Sequence, residues 1–118
     1  MKYEVTVTAI GDFVLQLMRT RDAIIIFDKD VPYHYMNMVV SHTKSQVRED
    51  IVPGDKLYIA GSEYTVTDVG SEAMETLRAH GHVTLVFSGR DKVEQPGQIM
   101  LSGGGAPRLM VGDTIRFE

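Results

Sequence analysis

Four histidines and no cysteine define the chemistry open to this chain. Without a thiol there is no disulfide framework, no Cys-based zinc finger, no iron–sulfur site and no sulfur nucleophile. Imidazole remains, as base, metal ligand or nucleophile. His42 is the most suggestive of the four. It follows the apolar Met38-Val39-Val40 and sits among the small hydroxyl residues Ser41, Thr43 and Ser45. One reading is a hydrogen-bonded core or rim histidine. The other is a nucleophilic imidazole, with one ring nitrogen facing a shallow pocket and the other fixed by a hydrogen bond. That chemistry needs donors for three phosphoryl oxygens, which hydroxyls, backbone N–H groups and Lys44 or Arg48 could supply.

The other histidines have simpler explanations. His34 lies between Tyr33 and Tyr35, in an aromatic cluster. His80 falls at the end of a predicted helix, where the dipole favours a cation. His82 opens a strand. His80-Gly81-His82 could give two ligands to a metal, and His42 a third, in a small metal-binding barrel. The carboxylates are scattered through turns and helix ends and form no acid–base pair. No Walker loop, dinucleotide-binding glycine motif, HExxH or GxSxG is present. Gly103-Gly104-Gly105 reads as a flexible loop or an anion-binding nest.

These residues must be held by a modest frame. A chain of 118 residues with 43% hydrophobic content makes one domain, residues 1–118, with its own core. A net charge of −4 argues against non-specific nucleic-acid binding, which relies on basic residues at phosphates. The opening Met1 to Val7 alternates in polarity, unlike a signal peptide or a membrane span, so a cytoplasmic protein without membrane insertion is expected.

Period-2 patterning predicts strands over Lys2–Thr8 and Tyr35–Thr43, and a hairpin of Lys56–Ala60 and Glu63–Thr67 turning at Gly61-Ser62. The run Ala23–Phe27 reads as a central strand. Val83–Phe87, Gln98–Leu101 and Thr114–Phe117 complete the set. Two short helices are predicted, one after an N-cap at Gly11-Asp12 and running to Thr20. The other is capped by Ser71, runs to His80 and ends on Gly81. About eight short strands with two short helices predict a mainly β protein, a closed or partly open β-barrel. One internal echo fits that frame. Ile51–Ile59 and Leu109–Phe117 both read as an apolar pair, a Gly-Asp turn and an alternating strand, as two equivalent corners of a barrel would.

From Tyr64 to Gly89 the chain closely resembles the glucitol/sorbitol IIA component of the sugar phosphotransferase system. The words VGSEA at 69–73, TLR at 76–78 and GHVTL at 81–85 carry the resemblance. Pro96-Gly97, Gly103 and the closing Gly112-Asp113-Thr114-Ile115-Arg116-Phe117 extend it, and it spans nearly the whole chain. It implies a cytoplasmic phosphocarrier needing neither nucleotide, metal nor other cofactor. HPr, the general phosphocarrier, would donate a phosphoryl group to a histidine. The IIB component of the permease would accept it on a cysteine, and a polyol would be phosphorylated on entry.

The family pattern falls on His42 as the phosphoryl acceptor, which should then be partly exposed. His82, in the GHVTL word, is a candidate support that orients His42 or binds phosphate, or else it marks a helix-to-strand corner. Ser41, Thr43 and Ser45 are the candidate phosphate-binding residues. An apolar rim of Met36 or Met38 with Tyr33 and Tyr35 could meet the partners. Two rival functions stand beside this one, a regulatory barrel without transfer and the His-based metal-binding barrel. A barrel with exposed edges could also form a homodimer by exchanging strands.

Overall fold

The computed structural model describes all 118 residues. The alternating segment at the N-terminus forms β1 (Tyr3–Ile10), with Tyr3, Val5 and Val7 in the core. A short helix α1 (Val14–Arg21) leads to β2 (Ala23–Asp28), and β3 is only Val40–His42. Then come β4 (Lys56–Ile59), β5 (Ser62–Val69), helix α2 (Ala73–His80), β6 (Val83–Val86), β7 (Gln98–Ser102) and β8 (Thr114–Phe117). The strands close into a barrel in the order β1-β3-β2-β6-β7-β5-β4-β8. The pairs β2–β3 and β6–β7 are parallel and the rest antiparallel. Closure leaves no free edge strand, so strand exchange at an edge has no starting point. No helix is long and apolar enough to cross a membrane.

Three local expectations are corrected. Residues Tyr33–Met38 form a 3-10 helix instead of the start of a strand. Pro32, at φ −59°, leads into it, and Tyr33, Tyr35, Met36 and Met38 all stay exposed. Val40 and His42 of that stretch face the barrel interior, and Val39 and Ser41 are buried on the other side of it. The hairpin turns one residue earlier than expected. Ala60 and Gly61 occupy it with φ of 50° and 79°, and Ser62 pairs with Ile59. Two central residues with positive φ suit the twist of a tight hairpin.

Neither helix uses a side-chain cap. Instead the N–H groups of Phe13 and Val14 donate to the carbonyls of Asn37 and Gly11. Those of Glu72 and Ala73 donate to Pro96 and Gly70. Backbone carbonyls, one tertiary and one local at each helix, thus satisfy donors that Asp12 and Ser71 were expected to take.

The sequence echo extends to the whole fold. Shifting the numbering by 59 carries Tyr3–Ile10 onto Ser62–Val69 and Val14–Arg21 onto Ala73–His80. Asp22 and Gly81, the left-handed residues that end the helices, correspond by the same shift. So do the pairings Val7–His42 and Val66–Leu101. The two Gly-Asp corners agree in detail. Val52 N–H donates to the Asp55 carboxylate at 2.9 Å, and Met110 N–H to Asp113 at 2.7 Å, with Gly54 and Gly112 at φ 97° and 95°. The barrel is a pair of β-α-β-β-β halves related by a pseudo-two-fold axis.

Candidate functional site

His42 ends β3, beside Val7 of β1 and Asp28 of β2. Alternation along the strand turns Val40 and His42 inward and puts Ser41 on the other face with Phe27, its partner on β2. The imidazole is wholly buried, against the expectation of partial exposure. Tyr3 meets its ring edge-on at 6.3 Å. Nδ1 lies 2.7 Å from the Thr43 carbonyl oxygen and Nε2 lies 2.8 Å from that of Gly81. A neutral imidazole has one N–H and can donate to only one of them. The imidazolium donates to both.

Gly81 is the cover. It ends α2 at φ 61°, and a Cβ there would stand 2.6 Å from His42 Cε1 and 3.1 Å from Nε2. Both the left-handed conformation and the closeness of the ring call for glycine. On its outer side Gly81 lines a recess of about 140 Å³, with Tyr3, Asp28, Lys44, Ser45, Arg78 and Ala79. His42 therefore sits under the floor of a small polar hollow.

Two cations and one carboxylate line that hollow. The Lys44 ammonium is paired with Asp30, and the Arg78 guanidinium lies 2.6 Å from Asp50. The hydrogen bond from Lys44 holds the Asp30 carboxyl below its usual range and raises Lys44 in turn. Burial, then the charge of Asp28, pushes the Tyr3 phenol up to about 12. It stays a neutral donor at physiological pH.

The expected phosphate-binding residues divide. Ser45 lines the hollow. Ser41 lies on the opposite face, and the Thr43 hydroxyl oxygen accepts the Thr6 N–H at 3.0 Å. Lys44 is in place. Arg48 is not among the lining residues, and its backbone N–H donates to the Lys2 carbonyl. His82 does not touch His42's ring nitrogens. It stacks on Phe27 at 4.8 Å, with His80 stacked on the same ring at 5.9 Å. Burial, then the proximity of His80, lowers the pKa of His82.

His42, His80 and His82 thus do not converge as a ligand set, and no group of three potential metal-binding side chains exists. His34 packs against Tyr35 as expected. The three glycines at 103–105 form an exposed loop, open around Gly104 and anchored at its two ends. Gly103 lies tight on Tyr64, whose hydroxyl donates to the Gly105 carbonyl at 2.7 Å. The largest hollow, about 1180 Å³, lies over β2, β6 and β7 beside the end of α1 and contains no histidine.

Sequence reasoning missed Tyr3, Asp28 and Arg78 as site residues. Arg78 lies in the TLR word and one helical turn before Gly81, which was a usable signal. Tyr3 and Asp28 looked like ordinary strand ends.

The barrel has a counterpart among solved structures. The crystal structure of the PTS system IIA component from Enterococcus faecalis V583 matches with a TM-score of 0.86 and 26% identity, over 98% of each chain. The class is thus a IIA component of a phosphotransferase system. Residues 2–116 match the family of the PTS system glucitol/sorbitol-specific IIA component, and the chain belongs to that family. The glucitol/sorbitol-specific EIIA components of Escherichia coli K12 and Shigella flexneri are each 29% identical over 116 residues, covering 98% of this chain and 94% of theirs.

Proposed function

We propose that the protein is a cytoplasmic phosphoryl relay that takes a phosphoryl group from phospho-HPr onto Nε2 of His42. It then hands the group to a cysteine of the IIB component, for uptake and phosphorylation of a polyol such as glucitol. The observation that carries this reading is the position of Nε2 directly beneath Gly81, at the floor of a recess lined by Lys44 and Arg78.

In the reactive tautomer Nδ1–H donates to the Thr43 carbonyl, which leaves a lone pair on Nε2. The Gly81 carbonyl must swing off that lone pair. Nε2 then attacks phosphorus in line as the donor's P–N bond breaks. The donor ring, protonated on its other nitrogen, takes back the bonding pair and leaves as neutral imidazole. His42 keeps its Nδ1 proton, so charge balances between the two rings. Proximity and electrostatic stabilisation supply the catalysis.

His82 supports the step from outside the barrel, by stacking on Phe27 and anchoring the corner that Gly81 occupies. Its N–H donates to the Thr76 carbonyl at 3.3 Å and its own carbonyl accepts the Thr76 hydroxyl at 2.6 Å.

The test is incubation with enzyme I, HPr and phosphoenolpyruvate. The wild type should gain an acid-labile, base-stable phosphate and His42→Gln none. Phosphate retained by His42→Gln overturns the site. His82→Ala should slow uptake, and an unchanged rate removes its supporting role. The covered imidazole also fits a second reading, a regulatory barrel that no longer transfers. Failure of the wild type to label in the same assay selects that reading.

A further inference from the structure

We propose that Lys44 and Arg78 are the cations that hold the phosphoryl group over His42, and that they leave Asp30 and Asp50 to do so. This rests on the reading of His42 as the acceptor. Both residues line the recess whose inner wall, Gly81, touches the imidazole. They reach it from different elements. Lys44 follows β3 two residues after His42, and Arg78 stands on the last turn of α2. A phosphoryl group entering there meets two cations and one lining carboxylate, Asp28. Its charge needs such compensation, and Arg and Lys are the side chains suited to it.

The present ion pairs are easily exchanged. All four partners have half-exposed side chains, at 47–64%. Pairs so open to water are weak. A phosphoryl dianion carries more charge than either carboxylate and offers three acceptor oxygens. Ser45 and the neutral Tyr3 phenol also line the recess and can donate to it.

The second half of the barrel serves as an internal control. At the equivalent mouth, 59 residues on, His42 is matched by Leu101, Asp28 by Phe87, Tyr3 by Ser62 and Lys44 by Gly103. Those four places are apolar or small there, and the corner glycine is matched by Asp22, whose carboxylate accepts the Ala106 N–H at 3.3 Å. Building a barrel corner therefore requires neither a histidine nor a lysine at these places. Arg78 does have a counterpart, Arg19, because a cation suits any helix C-terminus. Only at the His42 end does that arginine share a small recess with a lysine.

The experiment compares Lys44→Gln, Arg78→Gln, Arg78→Lys and the double Gln variant with wild type, using Lys92→Gln, in a distant loop, as control. Each is followed by its rate of phosphorylation from phospho-HPr. The isolated phosphoprotein is then followed by its phosphorus resonance and its rate of hydrolysis. Either single Gln change should slow uptake about ten- to a hundredfold, the loss expected for one charge-assisted contact. Arg78→Lys should recover much of it. The phosphorus resonance should move in both Gln variants and hydrolysis should change, neither of which a role in docking HPr would affect.

Wild-type rates with an unmoved resonance in Lys44→Gln and Arg78→Gln overturn the inference. Slowed uptake with an unmoved resonance and unchanged hydrolysis also overturns it, in favour of docking. Should Arg78→Gln fail to fold, Lys44→Gln and Arg78→Lys carry the decision. Failure of the His42 reading looks different, as an unlabelled wild type or a labelled His42→Gln.

Discussion

His42 and Gly81 form the smallest unit of the proposed site. Carbonyl oxygens lie 2.7 and 2.8 Å from its two ring nitrogens, and whichever nitrogen carries the proton anchors the ring to one of them. One of those carbonyls belongs to a residue that must be glycine. Gly81→Ala puts a Cβ 2.6 Å from Cε1 and forces an L-residue to φ 61°. The left-handed conformation alone costs about 1–2 kcal/mol, and the methyl group displaces the ring as well. The expected result is a lower melting temperature together with phosphoryl uptake reduced by more than the stability loss explains. A variant that is merely less stable, with uptake intact below its melting range, would show that the imidazole tolerates the shift. Gly54→Ala, strained at φ 97° but with nothing within 4 Å, separates the two contributions.

At the scale of elements, the entry to each helix is decided by a close backbone contact. A Cβ on Gly11 would stand 2.4 Å from the Asn37 carbonyl carbon, and one on Gly70 2.2 Å from the Pro96 carbonyl oxygen. These approaches bring up the carbonyls that receive the N–H groups of Phe13 and Glu72, the residues just before α1 and α2. Gly11→Ala and Gly70→Ala should each destabilise by about 3 kcal/mol or more, at the upper end for forced overpacking. Gly97→Ala, with open space around it, should be near neutral. Denaturant unfolding of the three variants measures this, and near-native stability in either of the first two would refute it.

The same contacts explain which elements were legible. Strands whose faces alternate, such as Tyr3-Val5-Val7, were read correctly because burial alone determines them. The helix ends were misread at Asp12 and Ser71 because backbone carbonyls, one of them at each helix 24 positions away in the chain, take the place of a side-chain cap. Residues 35–38 were misread because their alternation matched a strand, while they wind into a 3-10 helix that meets the Gly11–Phe13 corner through the Asn37 carbonyl.

At the scale of the molecule, the pseudo-two-fold arrangement makes two equivalent mouths, and only one has a histidine beneath it, its counterpart being Leu101. The shift of 59 also relates the Ala60-Gly61 hairpin turn to the neighbourhood of the chain's ends. Those ends lie together, with Lys2 N–H donating to the Phe117 carbonyl at 2.9 Å and the Met1 amino group 3.8 Å from the Glu118 carboxylate. A circular permutant opened between Ala60 and Gly61, with a short linker from Glu118 to Met1, should fold to the same barrel and still label on His42. Circular dichroism and the phosphorylation assay test this, and a permutant that stays unfolded would show that the β4–β5 turn is needed to nucleate the barrel.

The sequence by itself determined the barrel class, the strand content, the matched Gly-Asp corners and the candidate role of His42 through its family words. These are written in local order, in period-2 burial, turn chemistry and contiguous motifs. It also offered Ser41, Thr43, Ser45, Lys44 and Arg48 from their closeness to His42, and of these only Lys44 and Ser45 line the hollow. Only the tertiary structure decided that His42 lies under a carbonyl, that His82 turns away to Phe27, and that Tyr3, Asp28 and Arg78 share the hollow above. Those residues come from β1, β2 and α2, up to 75 positions apart in the chain. Barrel closure alone sets their separation, and no short-range pattern encodes it.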